Sequence, residues 1–231
     1  MGRIIYIHVP KCGGSSFGAA LRLRYFASQS TIGLDQGDTT LTGEARILSD
    51  YAARQRALHT LVASGKRMIA GHVQYDPDFH DGPAAQYRFV TLLRDPALRF
   101  VSHYHYLQRK HPDPARATTL RGFLDSHEAQ RIASQYLFYF AGQWQRPGQN
   151  TGALIRQAIR NLGRFDIVGD LGAPDAFARD LRRLTHTPLI RWHRNAAPVP
   201  LTVPPELRAQ IEALCAPDIA IFQSQFLAQA A

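Results

Sequence analysis

The sequence predicts a single α/β domain, a central and mostly parallel sheet flanked by helices, with a P-loop-like anion-binding loop after the first strand. Three observations carry that expectation. Short β-branched runs alternate with longer segments of helical periodicity, the order of elements that builds a parallel sheet covered by helices. The first run, Ile4 to Val9, opens directly into a glycine-containing loop, Pro10-Lys11-Cys12-Gly13-Gly14-Ser15-Ser16. With 231 residues and 45% hydrophobic content, the chain can bury one core over 1–231 without disulfides or metals, since a domain of this size hides roughly 70–75% of its unfolded surface.

The elements follow in order. Ile4 to Val9 reads as a buried first strand. Ser15 and Ser16 can cap a helix that carries Phe17, Ala20, Leu21 and Tyr25 at helical spacing. Ser28 to Gly43 is polar and rich in Gly and Thr, which predicts a surface loop. Glu44 to Ser64 reads as a helix, and Arg67 to Ala70 as a short strand ending at Gly71-His72. Tyr87 to Leu93 is a second strong strand, and Pro96 suits the first turn of a helix from Ala97 to about Lys110. His111-Pro112-Asp113-Pro114 breaks that helix. Helical patterns recur over Leu120–Tyr139 and Ala153–Leu162. A third strand, Phe165 to Val168, leads to Gly169, and a helix with Phe177, Leu181 and Leu184 follows. A Pro-rich loop over Ala196–Pro205 precedes helical segments carrying Leu207, Ile211 and Leu214, then Ile219, Phe222 and Phe226.

Composition narrows the function classes. Two cysteines, Cys12 and Cys215, exclude a disulfide framework and a CxxC zinc site. No apolar run approaches the ~20 residues of a membrane span, and nothing resembles a signal peptide. The expected compartment is therefore the cytoplasm, free or peripheral to a membrane. Lys+Arg is 27 against Asp+Glu 18, a formal net charge of +9, which favours anionic partners. Lys11, Lys66 and Lys110 are the only lysines, so the placement of each is informative. No helix-turn-helix, zinc-finger or RNP signature supports nucleic-acid binding.

Lys11 to Ser16 has the parts of a phosphate cradle. Two glycines let the backbone curl around an anion, and successive N–H groups form a nest. The following helix adds its free N–H groups and positive dipole end, while Lys11 adds a cation and Ser15 and Ser16 hydroxyl donors. The spacing is not Walker A, and Gly18 rather than arginine stands six residues after Cys12, which excludes a cysteine-phosphatase loop. A plain Gly-Gly turn capped by serine is the ordinary alternative. The logic repeats at Arg94-Asp95-Pro96, where Arg94 leaves the carboxyl end of a strand and Ser102 follows about two helical turns later. There the ordinary alternative is Asp95 capping the helix with Arg94 in an ion pair.

Ile7 to Phe17 resembles the 5′-phosphosulfate loop of carbohydrate sulfotransferases. Val90 to Pro96, with Arg99-Phe100-Val101-Ser102-His103-Tyr104, resembles their 3′-phosphate motif. Gly71-His72-Val73 with Tyr75 is similar to the segment that holds the catalytic histidine of heparan sulfate 2-O-sulfotransferases, a group with chondroitin sulfotransferase-like relatives. Weaker similarity runs through Phe165–Gly169 and Trp192-His193-Arg194-Asn195 to Asp218 and Phe222. Cys12-Gly13-Gly14 replaces a hydroxyl-rich loop, and the expectation is a bacterial-type soluble member without the family's Golgi anchor.

The resemblance implies 3′-phosphoadenosine 5′-phosphosulfate as co-substrate, no metal, and a glycan or other hydroxyl-bearing acceptor, neutral or anionic. Lys11, Cys12, Gly13, Gly14, Ser15 and Ser16 would hold the 5′-phosphosulfate, and Arg94 and Ser102 the 3′-phosphate. His72, with Lys11 on the leaving group, would be catalytic, taking the acceptor's proton as general base. Asp76 is the alternative base. His8 reads as a buried residue of the first strand, and His103 and His105 as lining an acceptor cleft or facing solvent. Tyr104 and Tyr106 with Arg99 and Arg109 read either as an aromatic–basic acceptor surface or as a half-packed helix. Arg191, Arg194 and Asn195 could close over the nucleotide. The alternatives are a P-loop-like nucleotide kinase or phosphotransferase, opposed by the missing Walker A, and a non-catalytic polyanion-binding module.

Overall fold

The computed structural model describes residues 2–146, 148–186 and 202–227, with the side chains of Gly14, Ser15 and Ser16 outside that description. Five strands form one parallel sheet among these residues: β1 (Arg3–Ile7), β2 (Gln29–Thr31), β3 (Met68–Gly71), β4 (Tyr87–Leu93) and β5 (Ile167–Asp170), in the order β2-β3-β1-β4-β5. The expected α/β architecture is present.

Alternation along each strand builds the two faces of the sheet. Ile4 and Tyr6 of β1, Met68 and Ala70 of β3, and Val90 and Leu92 of β4 pack under α1 (Gly14–Arg24) and, further along the chain, α9 (Pro174–Thr185). Ile5 and Ile7, Ile69, Phe89 and Leu93 face the other layer. That layer includes α2 (Gly43–Ala63), the short α3 (Pro77–Asp81), α7 (Gln135–Ala141), α8 (Gly152–Leu162) and α11 (Ala216–Phe226). Burial on both faces is why these strands read as continuous apolar runs. A smaller cluster joins α4 (Pro96–Lys110), α5 (Leu120–Phe123), α6 (His127–Ala133) and α10 (Arg208–Leu214). β4 carries two polar residues: Arg88 is exposed and pairs with Asp166, whereas Thr91 is fully buried and its hydroxyl donates to the Ile7 carbonyl at 2.9 Å.

Several expectations change in detail. Gly13, in the left-handed region at φ 71°, is the N-cap of α1, and no side chain caps it, so Ser15 and Ser16 lie inside the first turn. The stretch read as a loop from Ser28 contains the edge strand β2, three polar residues long. The helix read over Leu120–Tyr139 is three helices. Thr119 and Ser126 cap α5 and α6 locally. The N–H groups of Tyr136 and Leu137 in α7 instead donate to the carboxylate of Asp218, a distant residue in sequence. β5 begins two residues later than read, because Phe165 enters an aromatic cluster and the Asp166 carboxylate accepts from the Phe89 N–H at 2.8 Å. The Pro-rich loop falls largely outside the described residues.

β1 is the centre of the sheet, so three chain ends meet at its carboxyl edge. Ile7 pairs with Gly71 of β3 on one side and Thr91 of β4 on the other. The loops leaving β1 and β4 and the turn after β3 therefore stand side by side, where open α/β sheets bind ligands.

Candidate active site

The loop after β1 turns sharply at Lys11, whose φ of 67° is left-handed although it carries a side chain. Such a conformation costs about 1–3 kcal/mol and persists where its surroundings hold it. Gly13 is required twice over, by its φ and by space: a Cβ there would stand 2.6 Å from Cδ1 of Leu171. Between them Cys12 points inward. Its side chain is fully buried with Sγ 3.6 Å from the Tyr136 hydroxyl, its N–H donates to Val9, and burial pushes its thiol up to about 11. Cys12 thus forms the underside of the loop and has neither thiolate nor N–H to offer an anion. The N-terminus of α1 has no acidic residue in its first turn and no side-chain cap, so its N–H groups remain available to an anion.

The second loop touches the first. Arg94 donates from Nη1 to the Lys11 carbonyl at 3.4 Å, while the Asp95 carboxylate caps α4 through the Leu98 N–H at 2.8 Å. Asp95 therefore caps the helix, while Arg94 forms no ion pair with it and turns to the first loop instead. Lys11 Nζ sits over the Tyr106 ring, 4.1 Å from its centroid. Burial, with the nearby Arg109 and Arg94, lowers the Lys11 pKa, and burial lowers that of Arg94 too. Among the described residues Lys11, Arg94 and Arg109 form no ion pair. Asp95 is the one carboxylate that acts on Arg94, so the three neighbouring cations outnumber it and could together hold a multiply charged anion. Ser102 is half-buried on α4, two turns after Pro96.

Of the two readings of this helix, the half-packed one holds for Arg99 and Tyr104, which belong to the core. Arg99 is fully buried, donates to the Ile132 carbonyl, and pairs with Asp218 at 3.3 Å. Tyr104 is buried, with its hydroxyl donating to the Thr118 carbonyl at 2.6 Å. Both lie on the face of α4 that packs against α5, α6 and α10, whereas Tyr106 meets Lys11 and Arg109 is exposed.

His72 follows β3 directly. Its Nδ1 lies 3.3 Å from the Tyr139 hydroxyl, which is 2.6 Å from that of Tyr51. His8 is not inside β1 but just past it, half-buried and stacked on His72 with ring centroids 4.5 Å apart. Burial lowers the His72 pKa to about 4, against a hydrogen bond with the His8 main chain and with the help of Arg54. His8 is lowered as well, by burial and then by His72 and Lys11. His103 is half-buried with its Nδ1 enclosed, and burial together with Arg99, Lys11 and His72 pushes its pKa to about 3; His105 is exposed. Asp76 is committed elsewhere, since its carboxylate caps α3 through the N–H groups of Asp78 and Phe79. Tyr51, Tyr136 and Tyr139 were missed by the sequence reading, which had no local signal for them. Arg191, Arg194 and Asn195 lie outside the described residues.

The sequence model of a sulfotransferase family matches residues 2–139, a span that holds β1, the Lys11 loop, His72, β4 and Arg94. The chain belongs to the sulfotransferase family. The fold of this family member is also similar to the crystal structure of a sulfotransferase from Alicyclobacillus acidocaldarius, with a TM-score of 0.54 at 18% identity over 97% of this chain and 96% of that one. A search of curated proteins finds no match. Family and fold together support a transferase of sulfuryl groups. No helix among the described residues is long and apolar enough to cross a membrane, and none of their His, Cys, Asp and Glu side chains form a group of three or more that could hold a metal.

Proposed function

We propose that this chain transfers a sulfuryl group from 3′-phosphoadenosine 5′-phosphosulfate to a hydroxyl of a carbohydrate acceptor, in line, with His72 as general base and the whole of 1–231 as one sulfotransferase domain. The observation that supports it most is the meeting of Lys11 and Arg94 at two touching loops, with Arg109 of the last turn of α4 close enough to act on Lys11, beside the uncapped N-terminus of α1. These residues fit a donor with anionic groups at both ends. The α1 N–H groups from Gly13 to Ser16 and Lys11 would hold the 5′ end, and Arg94 with Ser102 the 3′-phosphate, through charged and bidentate hydrogen bonds.

The donor supplies an activated sulfuryl group on an anionic leaving group. Lys11, lifted by its left-handed turn and partly desolvated, balances negative charge where the leaving phosphate would sit. Arg94 fixes the nucleotide's far end, so that the reacting end is oriented by binding rather than by collision. His72 is neutral near pH 7 because its burial opposes the imidazolium, and can accept the acceptor's proton. Tyr139 and Tyr51 hold its Nδ1 side.

The direct experiment supplies the protein with donor labelled in its sulfuryl group and a panel of neutral and acidic glycans. Label moving to a glycan hydroxyl supports the reading. Label moving only to non-carbohydrate alcohols would remove the glycan, and label retained on the donor with every acceptor would remove the transfer reaction.

A further inference from the structure

Tyr136 touches both anion loops from beneath. Its ring is fully buried on α7. Its hydroxyl donates to the Arg94 carbonyl at 2.5 Å and accepts from the Arg94 N–H at 2.9 Å, with Cys12 Sγ 3.6 Å away. Arg94 lies one residue past the last paired position of β4, where Leu93 faces Asp170. Its main-chain groups have no strand partner there, and a buried N–H or carbonyl left unpaired is costly. The phenol takes the place of that partner.

Tyr136 is in turn held from behind. Its N–H donates to both carboxylate oxygens of Asp218, at 3.0 and 2.9 Å, and the Leu137 N–H joins at 3.2 Å. Asp218 pairs with the fully buried Arg99, whose guanidinium also lies 5.3 Å from the Tyr136 ring centroid. A continuous set of contacts therefore runs from Arg99 and Asp218 through the start of α7 to the main chain of Arg94. It ends on the guanidinium that reaches the Lys11 carbonyl.

We propose that Tyr136 is a positioning residue for the donor: its hydroxyl fixes the loop after β4 against the loop after β1 and so sets the spacing between the cations that grip the two ends of the nucleotide. The proposal rests on the reading that Lys11 and Arg94 hold opposite ends of one ligand. It assigns a role to a residue that would touch neither donor nor acceptor.

The test is a double-mutant cycle on the full chain. Affinity for 3′-phosphoadenosine 5′-phosphate is measured by calorimetry in the wild type, Tyr136→Phe, Arg94→Ala and the double variant, with melting temperatures in parallel. Phenylalanine keeps the ring and removes only the oxygen. Tyr136→Phe should weaken binding about tenfold, the scale of a lost hydrogen-bond pair. In the Arg94→Ala background the same change should cost less than about twofold, because a residue acting through Arg94 has nothing left to position. Equal losses in both backgrounds, or no loss in either, would overturn the proposal. Amide hydrogen exchange at Arg94 gives a readout independent of any nucleotide. Tyr136→Phe should lower its protection at least about tenfold while β4 stays protected, and unchanged protection counts against the proposal even if the nucleotide does not bind. Failure of the wild type to bind would overturn the donor reading and leave the exchange result to judge Tyr136. Should Tyr136→Phe melt below the assay temperature, all four proteins are compared at a lower temperature at which it is folded, with the same pattern of losses expected.

Discussion

Replacing His72 by alanine tests the base assignment. With a pKa of about 4, His72 carries a proton in only about 1 in 1,000 molecules at pH 7. If His72 is the base, its proton-accepting form is therefore almost fully populated at neutrality, and turnover should hold level down to about pH 5. It should then fall through an acid limb near pH 4, well below the 6.5 of an ordinary imidazole. The pH profile alone does not identify the base. Substitution does. His72→Ala should lower turnover by ~10²–10⁴-fold and leave donor affinity nearly intact, since the donor is held by the two loops. Asp76→Asn should change neither, because asparagine caps a helix as well as aspartate and α3 stays in place. The assay is initial rate against pH with saturating donor and acceptor, together with calorimetric donor affinity. More than about a tenth of wild-type turnover left in His72→Ala, or a matching collapse in Asp76→Asn, would refute the assignment.

Three further outcomes are expected. Lys11→Gly should remove ~2–4 kcal/mol of transition-state stabilisation without lowering the melting temperature, since glycine takes the left-handed turn freely; unchanged single-turnover rates would exclude Lys11 from the chemistry. Gly13→Ala should cost roughly 1–3 kcal/mol in denaturant unfolding, from its φ and the overlap with Leu171, and a pairing with Leu171→Ala should recover only the overlap. Arg99→Ala should cost about 3–5 kcal/mol of stability by stranding the buried Asp218 carboxylate, and chemical denaturation showing a near-neutral change would return Arg99 to the surface.

What the sequence disclosed, and what it hid, follows from the range of the forces involved. β4 was legible residue for residue because a strand buried on both faces is mostly apolar, here broken only by Arg88 and Thr91. The Lys11 loop and Arg94 were legible because glycine and proline mark local backbone geometry. Arg99 was not, since an arginine on a helix ordinarily faces water and only the distant Asp218 makes its burial tolerable. The break before α7 was hidden for the same reason, its cap being supplied by that same carboxylate. The inward turn of Cys12 and the low pKa of His72 are properties of packing, which no local pattern encodes.

The central claim is that the cations at the carboxyl edge of β1 and β4 were assembled for a nucleotide with anions at both ends. Calorimetric titration with 3′-phosphoadenosine 5′-phosphate and with ATP, each without magnesium, measures it most directly. The account predicts that the 3′-phosphorylated nucleotide binds at least about 100-fold more tightly, a difference of ~2.7 kcal/mol, and that Arg94→Ala removes most of that preference. Equal affinity for the two nucleotides, or tight ATP binding that appears only with magnesium, would contradict it.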